Sequence, residues 1–227
     1  MPTPYQIKKA KQRKIFFIFL YAVFLFGFIN IIMTYLVFPV KQKSLSMIPD
    51  VQQDSVVMVS PVMKNYERSD VVLLGKRVKT EKTLFSRFSE TFVSFFTGKQ
   101  VFLSEDAVFP GTKQKLRRVI GVPGDTIYMR DYVVYIKPMG EKHFLTEFEI
   151  TPKTYNVTFF TAPAGWDSSL GVKGSFEEIT LGPNEYFVLG DNRKSTDDSR
   201  LWGIVNKDDI DAKALFCYLP FKNFKLY

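Results

Sequence analysis

The chain opens with a cluster of basic positions and then a long apolar run. Lys8, Lys9, Lys11, Arg13 and Lys14 fall within residues 1–14, and 15–38, IFFIFLYAVFLFGFINIIMTYLVF, carries no charge. As a helix rising about 1.5 Å per residue, that run covers roughly 36 Å, enough to cross a bilayer with some tilt. Asn30 and Thr34 are its only clearly polar side chains, and Lys41 and Lys43 follow it. Positive charge ahead of the run predicts a cytoplasmic segment at 1–14 and a translocated part at 39–227. The competing assignment is a cleaved signal peptide, whose apolar core is about 7–15 residues long and ends at small residues. This run is longer, and Tyr-Leu-Val-Phe-Pro is bulky where cleavage would fall. An uncleaved anchor over 15–38 is the expectation.

Beyond residue 38 the pattern changes to short β-branched and aromatic runs. Val56–Val59, Val71–Leu74, Thr126–Ile136, Tyr186–Leu189 and Ala214–Leu219 predict strands bounded by Gly, Pro, Asp or Asn. Pro123-Gly124-Asp125 and Gly190-Asp191-Asn192 are strong turn signals. With no alternation of strands and helices, an antiparallel arrangement is favoured over a parallel sheet. Residues 137–184 are richer in Pro, Gly and charge and predict a smaller inserted β region. The fold class expected is mostly β: one N-terminal transmembrane helix, then an antiparallel β-domain with that insertion. At 84–96, Phe85, Phe88, Phe92, Phe95 and Phe96 recur at helical spacing. Amphipathicity leaves two partners open for this helix: the lipid headgroup layer or the β-core.

Composition narrows the chemistry. The 227 residues carry 31 Lys+Arg against 23 Asp+Glu, a net charge of +8, and the first 14 residues supply five of those positive charges. A nucleic-acid binder would bear its basic patch on the folded domain rather than beside an apolar run. One cysteine, Cys217, excludes an intramolecular disulfide and a Cys-cluster metal site. One histidine, His143, argues against a histidine-based zinc site and a Ser-His-Asp triad. Cys217, in an apolar run, reads as a buried small hydrophobe and His143 as a surface residue. Asn156-Val157-Thr158 fits a glycosylation sequon, a pattern frequent by chance.

Three stretches carry polar groups in unusual density. Ser44-Leu45-Ser46-Met47-Ile48-Pro49 follows the apolar run directly. Lys115-Leu116-Arg117-Arg118-Val119-Ile120-Gly121-Val122-Pro123-Gly124-Asp125 is a basic strand entering a turn. Gly190-Asp191-Asn192-Arg193-Lys194-Ser195-Thr196-Asp197-Asp198-Ser199-Arg200-Leu201-Trp202-Gly203 is a polar loop that ends in Trp-Gly. Singly, each has a plain structural explanation: a serine in a turn, a solvated basic strand, a loop held by its own hydrogen bonds.

In this order, behind an anchor, the three stretches resemble bacterial type I signal peptidases over roughly residues 15–219, and Gly182 to Leu189 looks like the family as well. The resemblance implies an exported β-fold in the bacterial inner membrane and a Ser-Lys dyad. It implies cleavage of Ala-x-Ala-like leader peptides from exported preproteins at the lipid surface, with no metal and no organic cofactor. Position by position, it implies Ser46 as nucleophile. The Ser46 amide and Ser44 hydroxyl are implied as oxyanion donors. Met47 and Pro49 shape the loop and its contact with substrate or lipid. Thr196 stands where an orienting serine is usual, and Asp198 and Arg200 match a structural ion pair.

One position departs from the pattern. The family's base lysine falls, counting back from Gly121, on Arg117. A lysine desolvated in an apolar pocket can lose its proton near neutral pH. A guanidinium has a pKa above about 12 and offers no lone pair. Three outcomes stay open. Lys115, about 6–7 Å away on the same strand face, substitutes as base. The chain is a paralogue that binds leader peptides or assists an active peptidase without cutting well. Or another group, an aspartate or one supplied by a partner, acts as base.

Overall fold

The computed structural model describes residues 4–75, 114–159, 174–194 and 197–227. The aromatic segment 84–96 and Thr196 lie outside these residues.

Helix α1 (Pro4–Ile31) takes in the basic segment as well as most of the apolar run. It is long and apolar enough to cross a membrane, and none of its apolar stretch is buried against the rest of the described chain. Phe16, Phe17, Phe19 and Phe24 all stay exposed. An apolar surface of that extent marks contact with lipid or with another protein. The helix finishes in a π turn at Ile32–Leu36, and β1 (Phe38–Lys41) begins immediately afterwards. The helical part of the expected 15–38 span therefore ends before Phe38. The cause is Pro39, which lacks an N–H and forces the residue before it into extended backbone.

Two sheets follow. The strands are β2 (Val56–Ser60), β3 (Val71–Leu74), β4 (Lys115–Gly121), β5 (Thr126–Arg130), β6 (Val133–Lys137) and β7 (Leu145–Thr146). After them come β8 (Phe176–Thr180), β9 (Glu185–Leu189), β10 (Val205–Asn206), β11 (Ile210–Leu219) and β12 (Lys225–Leu226). The larger sheet runs β1-β2-β11-β3-β4-β9-β10, with β12 against β11, and the smaller runs β7-β6-β5-β8. The pairings are antiparallel. β1 is an edge strand, the position in a sheet that tolerates Pro39. Two short helices, α2 (Glu147–Ile150) and α3 (Ser199–Trp202), flank the sheets.

The smaller sheet begins at Thr126 rather than at 137, because the run expected as one strand over Thr126–Ile136 is a hairpin. Arg130 pairs with Val133, leaving a two-residue loop of Asp131 and Tyr132, both at positive φ (51° and 66°). Such loops match the right-handed twist of the strands, and their usual signal is Asn-Gly or Asp-Gly. Tyrosine sends no such signal. It is held in place by its amide, which donates to Gly174 O at 2.8 Å, while its ring lies where a Gly174 side chain would be.

Two apolar clusters hold the larger sheet, and a third joins the sheets. Met47, Val51, Val57, Val59, Val71, Leu73 and Leu116 belong to the first. Val72, Val119, Val188 and Ile210 fill a second on the other side of the strands. Ile120, Ile127, Ile136, Leu181 and Phe187 form the third, between the sheets. Gly121 sits at that junction, where an added Cβ would come within 2.2 Å of Ile127 Cδ1 and 2.8 Å of Leu181 Cδ1. Cys217 is buried and His143 and Asn156 are exposed.

Buried arginines join the loops to this core. Neighbouring residues on a strand point to opposite faces, and Arg117 and Arg118 of β4 accordingly take different partners. Arg118 Nε and Nη2 donate to the two oxygens of Asp191 at 2.7 and 2.6 Å. Nη2 also donates to Asp50 Oδ2 at 2.7 Å and Nη1 to Ser69 O at 2.8 Å. Burial alone would lower the Arg118 pKa; Asp191 and Asp50 outweigh it and raise the group above its ordinary value. Arg193 Nη2 donates to Glu147 at 2.7 Å, pinning the third stretch to α2.

Two stability changes follow, each measurable by denaturation of the detergent-solubilised protein. Gly121→Ala overpacks the junction and lowers stability by about 1–3 kcal/mol. Asp191→Ala strands part of a buried charge and costs about 3 kcal/mol or more.

Candidate active site

Ser46 lies in the loop between β1 and β2. Gln42, just past β1, fixes the entry to that loop: its amide donates to Ser55 O at 2.8 Å and its carbonyl accepts from Asp54 N at 2.7 Å. The exit is fixed by Met47 and Val51, both fully buried, with Val51 N donating to Met47 O at 2.8 Å. Met47 is thus a core anchor that shapes the loop from its buried side. From the third stretch, Asn192 N donates to Ser46 O at 3.0 Å and Asn192 Nδ2 to Leu45 O at 3.1 Å. Ser46 is thereby held between two loops and keeps only 5% of its surface exposed.

Among the described residues, three side chains surround the Ser46 hydroxyl. Arg117 Nη1 donates to Ser46 Oγ at 2.9 Å. Ser44 Oγ lies 2.8 Å away. Gln42 Nε2 lies 3.4 Å away and also donates to Ser44 Oγ at 3.1 Å and Ser44 O at 2.9 Å. The guanidinium is fixed on its other side by the Asp197 carbonyl, which accepts from Nε at 3.0 Å and Nη2 at 2.6 Å. Nη1 also donates to Leu116 O at 2.6 Å. Burial lowers the Arg117 pKa, with Asp198 and Asp197 opposing the shift.

Lys115 shares the strand but not the site. Its ammonium is paired with the Asp197 carboxylate and lies 5.8 Å from the centre of the Trp202 ring. Trp202 Nε1 donates to the other oxygen of that carboxylate. Burial works to raise the Asp197 pKa, but the hydrogen bonds from Lys115 and Trp202 bring it below the ordinary value. The carboxylate is therefore ionised at neutral pH, and the stability it contributes is lost as pH falls through that lowered pKa.

Asp198 and Arg200 form a buried ion pair. Arg200 Nε and Nη2 donate to Asp198 Oδ1 and Oδ2 at 2.9 and 2.8 Å. Asp198 also accepts from Gly190 N at 3.1 Å and caps α3 through Arg200 N at 3.1 Å. Ser44, Ser46 and Arg117 thus meet, Asp198 and Arg200 stand behind them, and Lys115 is turned away. Gln42 and Asp197 were not singled out from the sequence. Gln42 had no motif to mark it, and Asp197 is a position that the third motif leaves open.

Chemically, this arrangement orients and polarises a hydroxyl. Arg117 donates to Ser46 Oγ, and the Ser46 and Ser44 hydroxyls share a hydrogen bond in which either can be the donor. A cation beside the oxygen favours its ionised form, but a guanidinium cannot accept the proton. Among the described residues, no carboxylate, imidazole or amine is within hydrogen-bond distance of Ser46 Oγ. Nor, among them, do three or more His, Cys, Asp or Glu side chains gather to hold a metal ion.

Residues 13–219 match the family model described as "Signal peptidase, peptidase S26". The chain is 26% identical to Signal peptidase I P of Bacillus subtilis subsp. natto over 175 residues, 74% of this chain and 86% of that protein. It is 35% identical to Signal peptidase I of Bacillus caldolyticus over 123 residues, 52% of this chain and 61% of that protein. A solved signal peptidase I from Enterococcus faecalis covers 66% of this chain and 96% of its own at 23% identity and a TM-score of 0.33, a superposition too loose to build on. By the extent of the family match, the chain belongs to the signal peptidase family.

Proposed function

We propose that this chain is a membrane-anchored member of the family that binds the leader peptides of exported preproteins and cuts them poorly because Arg117 occupies the place of the base. The observation that carries this reading is the 2.9 Å contact from Arg117 Nη1 to Ser46 Oγ. Acyl transfer to a serine requires the hydroxyl proton to leave as the oxygen attacks, and a positioned base contributes about 10²–10⁴-fold. With arginine in contact, Ser46 has a hydrogen-bond donor where it needs an acceptor. The rest of the machinery for holding a peptide is retained. The Ser44 hydroxyl beside Ser46, with the Ser46 amide, suits a carbonyl oxygen that gains charge. An extended leader can add as a strand along the loop and β4, with small side chains in shallow pockets.

The anchor supports the location. Helix α1 crosses the inner membrane with its basic end in the cytoplasm and the β-domain outside. Eight residues separate Phe38 from Ser46, at most about 28 Å of chain, so the loop stays near the lipid surface where leaders emerge. Neither a metal nor an organic cofactor is required for this role.

A second reading is favoured by one observation. Lys115 lies on the same strand as Arg117, two residues away, and the carboxylate that holds it is itself 49% exposed. If the lysine leaves Asp197 and reaches Ser46, the chain is a working serine endopeptidase with Lys115 as base.

Full-length protein in detergent, given an Ala-x-Ala leader peptide, separates the two. The expected result is saturable binding by the wild type, and cleavage that rises about 100-fold or more in Arg117→Lys. Adding Ser46→Ala to that variant returns cleavage to background. Wild-type cleavage as fast as that of Arg117→Lys, and abolished by Lys115→Ala, would establish the second reading. Absence of peptide binding would remove leader recognition from both.

A further inference from the structure

At one residue of the third loop, Asp197, two cations of β4 meet: Arg117 and Lys115. Asp197 O accepts from Arg117 Nε and Nη2 at 3.0 and 2.6 Å. Its carboxylate holds Lys115 through Oδ2 and accepts from Trp202 through Oδ1. The backbone at this point is fixed by the next residue: Asp198 is fully buried, paired with Arg200, and caps α3. The Asp197 carbonyl therefore has a set direction toward Arg117, and the side chain departs toward Lys115.

We propose that Asp197 is a positioning residue that selects which cation reaches Ser46: its main-chain carbonyl steers Arg117 onto the hydroxyl while its carboxylate holds Lys115 away. The inference rests on Ser46 as the reacting group of the preceding section. The two halves of the device are chemically separable. A side-chain substitution removes the carboxylate and leaves the carbonyl, so Lys115 is released while Arg117 remains in place. With Arg117 also replaced by a neutral residue, the guanidinium no longer stands between Lys115 and Ser46 on the face of β4 that the two cations share. Trp202 completes the restraint from the far side, since its N–H holds the carboxylate oxygen that Lys115 does not use.

The test uses the full-length chain in detergent. Acylation of Lys115 by an amine-reactive ester is quantified by mass spectrometry relative to exposed Lys142. Asp197→Ala raises the ratio about two- to fivefold, the value of losing one partly exposed ion pair. Asp197→Glu restores it toward the wild type. In a second measurement, Arg117→Gln/Asp197→Ala cleaves an Ala-x-Ala leader about tenfold or more faster than Arg117→Gln alone, and Lys115→Ala cancels the gain. Unchanged Lys115 labelling in Asp197→Ala overturns the proposal. So does an absent cleavage gain in variants that still bind the peptide. If no variant binds the peptide, leader recognition falls, and the labelling ratio alone decides the role of Asp197.

Discussion

Arg118 is the point at which the three polar stretches become one structure. Its guanidinium takes Asp50 from the loop after Ser46, Asp191 from the third stretch and the Ser69 carbonyl from the turn before β3. The Asp50 and Asp191 side chains and Arg118 are all nearly or fully inaccessible to water. A buried charge left unpaired is expensive, so the loops are driven to close on the arginine together. Once they do, Asn192 lies against Ser46, and the adjacent Arg117 projects from the same strand toward the hydroxyl. The geometry of the site is a consequence of that convergence more than of any contact at Ser46 itself.

Two neighbouring arginines therefore have unlike tasks. At Arg118 permanent charge is an advantage, because two carboxylates require a cation that burial cannot discharge. In the function proposed, the same permanence at Arg117 is a handicap, because proton transfer from Ser46 needs a group able to lose its charge. Burial does lower the Arg117 pKa, yet Asp197 and Asp198 oppose the shift and the planar group has no lone pair to offer. Arg117 keeps a nitrogen beside the serine oxygen but donates to it, where proton transfer needs an acceptor. Asp197 extends this logic, since it engages one cation by its backbone and another by its side chain.

The elements that were readable from the chain alone share a trait: their signals are local. The uncharged run announces a long helix because period and composition coincide over many residues. Val71–Leu74 and Tyr186–Leu189 announce strands because β-branched and aromatic residues sit between turn formers. Failures have two sources: an apolar pattern that runs past a local breaker, and a distant residue that decides. The helix ends ahead of Phe38, a boundary that Pro39 does mark, though the apolar pattern runs through it. The turn at Asp131–Tyr132 was hidden, because what holds tyrosine at positive φ is Gly174, far along the chain.

By itself, the sequence determined the apolar helix, the mostly antiparallel β character, the three-motif order and the identity of Ser46, Arg117, Asp198 and Arg200 as residues to watch. The helix and the β character follow from periodicity and residue type, which are properties of short windows; the site residues follow from the resemblance of the three motifs, taken in order, to the signal peptidase family. Only the tertiary structure decided that Arg117 rather than Lys115 contacts Ser46, that Gln42 joins the hydroxyl pair, and that Asp197 holds both cations. Alternation along β4 places Lys115 and Arg117 on one face and cannot rank them. The ranking comes from a loop some eighty positions later, brought into place by buried ion pairs that pattern along a strand does not encode.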